Sequence, residues 1–231
     1  MRGHPLVGEV TTGEHLLTWS QGDWHRSIQL GVDGDAYGLV EMIDNNPMVC
    51  ATTFGWPGPL AILHAIAIGP LVRAGLIVEP PSSMSNITPE AGHKEFVGDT
   101  LGTLGEFESM TIFTEMNEDV DRSYAGISAL AEIRTPERLE DLDDLYEEAF
   151  GRSFFVREVH SDELDASEVK GKPGAIYRLR ITPDDPISLF RIDVLADHEG
   201  KVGAAGIVHA FNVMIGCEES FGIPANLSAV L

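Results

Sequence analysis

Cysteine is almost missing from this chain. Cys50 and Cys217 are the only two in 231 residues, which excludes a disulfide framework of the secreted kind and makes a reducing cytoplasm the expected compartment. Lysine is also scarce, at Lys94, Lys170, Lys172 and Lys201, and arginine supplies the other basic residues. With 37 acidic against 15 basic residues, the formal net charge is -22. Such a surface repels nucleic acid and anionic membrane, so neither is an expected partner. Two readings of the charge stay open, adaptation to a salt-rich cytoplasm and an ordinary acidic protein. Long hydrophobic runs are lacking too. The longest, Leu60–Ile68, is too short to span a bilayer and carries His64. No long apolar segment follows Met1-Arg2-Gly3-His4-Pro5, so no signal peptide is expected. No glycine-rich phosphate loop of the dinucleotide type follows a strand. His160, His198 and His209 have no metal-ligand spacing and no Ser-His-Asp pattern stands out, so no metal site is expected.

What is present centres on Met48–Ile77. The run Met48-Val49-Cys50-Ala51-Thr52-Thr53 reads as a strand, Phe54–Pro59 as a turn, and Leu60–Ile77 as a helix apolar almost all round, hence buried. Pro59 suits the first helical turn. Pro70 is expected to stop or kink the helix, and Gly75 to cap its end. A turn at a helix N-terminus is where an enzyme holds an anion or an activated thiol, so a small anionic ligand is a partner this turn suits. His64 reads as a hydrogen-bonded core histidine.

Residues 1–36 have weak periodicity and are read as an irregular segment with one short strand near Ser27–Leu30, ahead of a main domain over 37–231. Glu79–Gly105 is rich in Ser, Thr, Gly and Pro and reads as a long loop. Thr111–Thr114, Tyr124–Ile133 and Phe154–Val159 read as strands. Thr135 and Pro136 read as the N-cap and first residue of an amphipathic helix that ends at Gly151, its acidic face solvated. Tyr177–Ile181 and Phe190–Val194 alternate as half-buried strands and are expected to form a hairpin. Gly203-Ala204-Ala205-Gly206 opens a last helix through Ile215. The expected fold is α+β, a mostly antiparallel sheet with the helices of Pro136–Phe150 and Ala204–Ile215 packed on one face.

Several pieces resemble N-acetyl-gamma-glutamyl-phosphate reductase, within the aspartate-semialdehyde dehydrogenase superfamily. Tyr37-Gly38-Leu39-Val40-Glu41 is similar to that family's Tyr-Gly-Leu-Pro-Glu. Ala67–Ile77 is similar to the helix after its active-site cysteine, and Leu145–Phe150 with Phe155–Arg157 to its Leu-Tyr-Glu-Glu-Phe-Tyr helix and the next strand. Val169-Lys170-Gly171 resembles its Val-Arg-Gly, and Gly203–Gly206 with Phe211–Gly216 its Gly-Ala-Ala-Gly helix. The resemblance covers Tyr37 to the end. It implies the C-terminal, dimerising domain of a semialdehyde dehydrogenase, with a Rossmann domain missing or much reduced before it. It also implies NADP as cofactor if the chain is active, amino-acid biosynthesis as setting, and a homodimer or homotetramer.

The departures bear on activity. The family's nucleophile ends Asn-Pro-Gly-Cys at the start of the buried helix, and that register falls here on Trp56-Pro57-Gly58-Pro59, with no thiol. Cys50, in Asn46-Pro47-Met48-Val49-Cys50, is the substitute candidate, and its structural alternative is a buried core cysteine. The family's general-acid histidine has no match in Gly102–Ser109. His93 is the displaced candidate, against a plain loop histidine. Gly203, Ala204, Ala205 and Gly206 are the candidate cofactor-binding residues. Thiol, acid and dinucleotide loop thus depart together. The reading that follows is a diverged relative acting in binding, assembly or altered chemistry, and the alternative is an active NADP-dependent acyl-phosphate reductase using Cys50.

Overall fold

The structure, a computed structural model, describes residues 10–11, 16–88, 93–117 and 119–227. Its centre is helix α2 (Gly58–Arg73), whose residues from Leu60 to Val72 are all buried. The helix can be apolar on every side because something packs on every side. The inner faces of strands β8 (Ala125–Arg134) and β11 (Ile187–Ala196) cover one flank. Helices α3 (His93–Gly102) and α4 (Glu140–Phe150) cover others. Pro59 lies in the first turn, as expected, whereas Pro70 does not stop the helix, which runs on to Arg73 before Gly75 turns at φ 63°. The tight van der Waals seat of Gly69 against Met42 and Leu104 anchors this last stretch.

β8 and β11 belong to a six-stranded sheet of order β7-β6-β8-β11-β10-β9, with β6 at Ser82–Ser85, β7 at Thr111–Thr114, β9 at Val156–Glu158 and β10 at Ala175–Thr182. The hairpin β10–β11 forms as expected, with Tyr177 opposite Val194 and Ile181 opposite Phe190. The sheet is mixed: β6–β8, β8–β11 and β10–β11 are antiparallel, while β6 pairs parallel with β7 and β9 parallel with β10. Its inner face buries Ile127, Ala129, Ile133, Phe190, Ile192 and Val194 against α2 and α4. On α4 the Tyr146 ring stacks on Phe190 at 5.9 Å, and its hydroxyl donates to the Ala67 carbonyl of α2. The outer face carries Met84, Phe113, Leu130, Ile187 and Leu189, all exposed.

A second, five-stranded sheet has order β1-β2-β3-β5-β4, built from Val10–Thr11, Leu17–Gln21, Trp24–Leu30, Thr53–Trp56 and Ala36–Tyr37 respectively. The segment expected to be irregular therefore contains a hairpin, Leu17–Gln21 with Trp24–Leu30. The boundary drawn at 36/37 falls inside β4. Between β4 and β5 the expected strand Met48–Thr53 is instead helix α1 (Asn45–Cys50), and β5 starts at Thr53. The reason is tertiary. The Arg26 guanidinium, 3% exposed, donates to the carbonyls of Met48, Val49 and Ala51 and so satisfies the end of α1. Helix α5 (Ala204–Met214) leans the same way. Phe211 meets the Trp19 ring edge-on at 4.9 Å, and Arg26 donates to Met214 O. α5 thus packs on the N-terminal sheet and α1 rather than beside α4.

The long loop expected over 79–105 includes β6 and α3. Ser83 and Ser85 are buried because each has a partner: Ser83 Oγ lies 2.8 Å from His64 Nε2, and the Ser85 hydroxyl accepts from Ile87 N. The α4 helix starts four residues later than Pro136, since Thr135 spends its hydroxyl on Ser188 and Asp184 in the β10–β11 turn. No helix among the described residues is long and apolar enough to cross a membrane.

Candidate functional site

The resembling segment that ends at Glu41 and the stretch just before Gly203–Gly206 meet inside the molecule. Glu41 sits on a 3-10 turn, Val40–Met42, directly after β4. Lys201 lies in the turn that leads into α5, whose N-cap is Gly203. Their side chains are 5% and 1% exposed, and Lys201 Nζ is 2.7 Å from Glu41 Oε1. Lys201 also donates to His209 Nδ1 at 3.0 Å, and His209 Nε2–H donates to Glu219 Oε2 at 3.0 Å. That arrangement requires the neutral Nε2–H tautomer of His209. Ser153 Oγ–H donates to Glu41 Oε1 at 3.0 Å, and the Phe155 ring covers Lys201 Nζ at 5.7 Å and the His209 ring at 4.7 Å.

The electrostatics follow from burial. Burial opposes the charged form of Glu41, but the adjacent Lys201 ammonium outweighs it and holds the carboxyl below its usual range. Burial lowers Lys201, with Glu41 pulling partly the other way. Burial, reinforced by the Lys201 charge, drops His209 to about 3, so it stays neutral at ordinary pH. The cluster is a charged pair extended by a neutral imidazole to the partly exposed Glu219. It can orient a ligand's donor or pass a proton between Lys201 and the surface. Beside it opens a cavity of about 120 Å³ lined by Glu41, Asn45, Arg152, Ser153 and Glu219. Sequence reasoning missed all four of Glu41, Lys201, His209 and Glu219. The signal available was that the rare lysine at 201 abuts one resembling segment and Glu41 closes another.

The expected site residues lie elsewhere. Cys50 is the last residue of α1 and is exposed, which corrects the buried-core alternative. Seven residues, Ala51–Pro57, four of them in β5 at about 3.3 Å each, separate it from the start of α2. At the α2 start itself stand Pro57, Gly58 at φ 82° and Pro59. His93 opens α3, with its ring stacked on Phe96 at 5.8 Å, so it is a helix residue rather than a loop one. At Gly203–Gly206 the backbone is spent internally: Gly203 N and Gly206 N donate to Gly200 O, and Ala205 N donates to Glu199 O. A Cβ on Gly203 would strike His198 O, and one on Gly206 would strike Lys201 O and the Trp56 ring at 2.5 Å. These glycines serve a tight turn and close packing, and the segment does not fit a cradle for dinucleotide phosphates. Ala204 and Ala205 instead line an apolar cavity of about 220 Å³ under Gly222–Leu227. Among the described residues no three His, Cys, Asp or Glu side chains converge as metal ligands.

No family model matches the chain, and no curated protein does. Solved structures do. Aspartate semialdehyde dehydrogenase II from Vibrio cholerae, complexed with ASA, superposes with a TM-score of 0.53 at 14% identity, over 79% of this chain and 66% of that one. A second structure of that Vibrio cholerae enzyme gives 0.53 at 11% identity, over 79% and 69%. The chain has an α+β fold like that of these semialdehyde dehydrogenases. The likeness is one of fold, and this chain spans about two thirds of those chains' length.

Proposed function

We propose that this protein is a diverged semialdehyde-dehydrogenase-like chain that has left the reductase reaction and works through ligand binding and self-assembly. The start of α2 carries this reading. A thiolate nucleophile gains from the positive end of a long helix, and here that position holds Pro59, with neither thiol nor backbone donor. Cys50 stands at the C-terminal end of a different helix, α1, away from the start of α2. The closed turn at Gly203–Gly206 supports the same reading. On it, the five-stranded sheet derives from a nucleotide-binding domain, and its two parallel pairings, β3–β5 and β4–β5, are in keeping with that origin.

The assembly is a homodimer or homotetramer formed on the outer face of the six-stranded sheet. Its support is the exposed row of Met84, Phe113, Leu130 and Leu189, interleaved with Arg180 and Arg191, which lie opposite each other in register. The setting is the cytoplasm.

The second reading, an NADP-dependent acyl-phosphate reductase, has one observation in its favour: Cys50 is exposed and so reachable. An NADPH-coupled assay with N-acetyl-glutamyl phosphate and aspartyl phosphate separates the two. We expect no turnover in wild type or Cys50→Ser. Turnover that disappears in Cys50→Ser would establish the reductase.

A further inference from the structure

The cavity of about 120 Å³ beside the Lys201 cluster has room for several waters, each of which needs roughly 10–15 Å³. It is polar, and one of its walls is unusual. Glu41 is 5% exposed, and while its Oε1 receives Lys201 and Ser153, its Oε2 is buried with no hydrogen-bond partner. An acceptor left bare on a buried carboxylate is costly unless a donor arrives from outside. Glu219 brings a second carboxylate to the same cavity, on the far side of His209. Burial raises Glu219 and the charge of Glu41 raises it further, while Lys201 offsets this only in part, so a second cation near both carboxylates relieves the repulsion that is left. The third charged wall is Arg152, which is exposed and makes no ion pair or hydrogen bond within the described residues. Asn45 and Ser153 complete the polar lining.

Two carboxylates and one unspent guanidinium lining a space of this size match a small zwitterion. We propose that this cavity binds a small α-amino acid such as glycine or alanine, with its ammonium received by Glu41 Oε2 and Glu219 and its carboxylate by Arg152. An isolated metal ion suits the site less well, since the guanidinium repels it and only two carboxylates converge. The site stands whether or not the chain reduces acyl phosphates, because none of its three charged residues, Glu41, Arg152 and Glu219, lies in α1 or α2.

The test is calorimetric titration of the full chain with glycine, L-alanine, methylammonium chloride and sodium acetate, alongside thermal shift. Glycine or alanine is expected to bind about tenfold or more tightly than methylammonium or acetate, since two charged contacts replace one. Arg152→Ala is expected to reduce amino-acid binding to the methylammonium level and leave methylammonium itself unchanged. Glu219→Gln keeps the acceptor for His209 and is expected to weaken both amines. Both substitutions lie at the partly exposed rim, so circular dichroism should show an intact fold. Binding of acetate equal to that of glycine, no change in either folded variant, or no heat with any probe would overturn the proposal.

Discussion

A single buried lysine decides much of the local energetics. Lys201 is fully covered, and its charge is tolerable only because Glu41 lies at 2.7 Å and His209 accepts a second hydrogen bond. Removing one partner strands the other, so Glu41→Ala should destabilise by about 3–5 kcal/mol. The paired replacement Glu41→Gln with Lys201→Met should cost less than Glu41→Ala alone, as read from urea unfolding. The histidines set the acid limit. His64 is held neutral by burial, down to about 4, with Nδ1–H on Leu60 O and Nε2 accepting from Ser83, and His209 is held at about 3. Both folded values lie below the ordinary histidine value near 6.5, so the unfolded chain binds more protons as pH falls. Their contribution is complete above about pH 6.5 and is lost progressively toward pH 3–4. Proton uptake on unfolding should approach about two near pH 5 from these groups. His64→Gln should remove about one, measured as the slope of unfolding free energy against pH.

At the scale of elements, glycines separate positions that need no side chain from positions that merely lack one. Gly206 of α5 is pressed on the Lys201 carbonyl and the Trp56 ring, so Gly206→Ala should shift α5 off the N-terminal sheet and lower the melting temperature markedly. Gly98 in α3 has open space around its would-be Cβ, and Gly98→Ala should stabilise by about 0.4–1 kcal/mol through helix propensity and unfolded-state entropy. The contrast is checked by thermal denaturation of the two variants side by side. In α2, the core of the whole assembly of elements, Ile66→Ala should cost about 2–5 kcal/mol, because packing on every side leaves a cavity that cannot collapse.

For the whole molecule, charge and the open sheet face act against each other. A net charge of -22 spreads the molecule apart at low salt, and screening at high salt relieves that repulsion. Stability and self-association should therefore both rise with salt. Light scattering should give a species larger than the 25.0 kDa chain, and Leu130→Glu, on the outer face of β8, should return it to monomer without loss of fold. A monomer in wild type at high salt would count against assembly on this face.

Short-range pattern was enough for the elements whose partners are local in sequence. The alternation of β10 and β11, the apolar α2 with Pro59 in its first turn, the amphipathic face of α4 and the Gly203 start of α5 all follow from periodicity and capping, because those rules act within a few residues. Tertiary contacts decided the rest. Met48–Cys50 is β-prone by composition, yet it ends a helix because a buried Arg26, more than twenty residues earlier, takes its carbonyls. Ser82–Ser85 looks like loop and becomes a strand flanked on both sides because His64 and the β7 and β8 ladders satisfy it. The site was hidden for the same reason. Glu41, Ser153, Lys201 and Glu219 come from four distant stretches, and a buried charge is legible only once its partner is seen beside it, since solvation in the unfolded chain treats all four as ordinary surface residues.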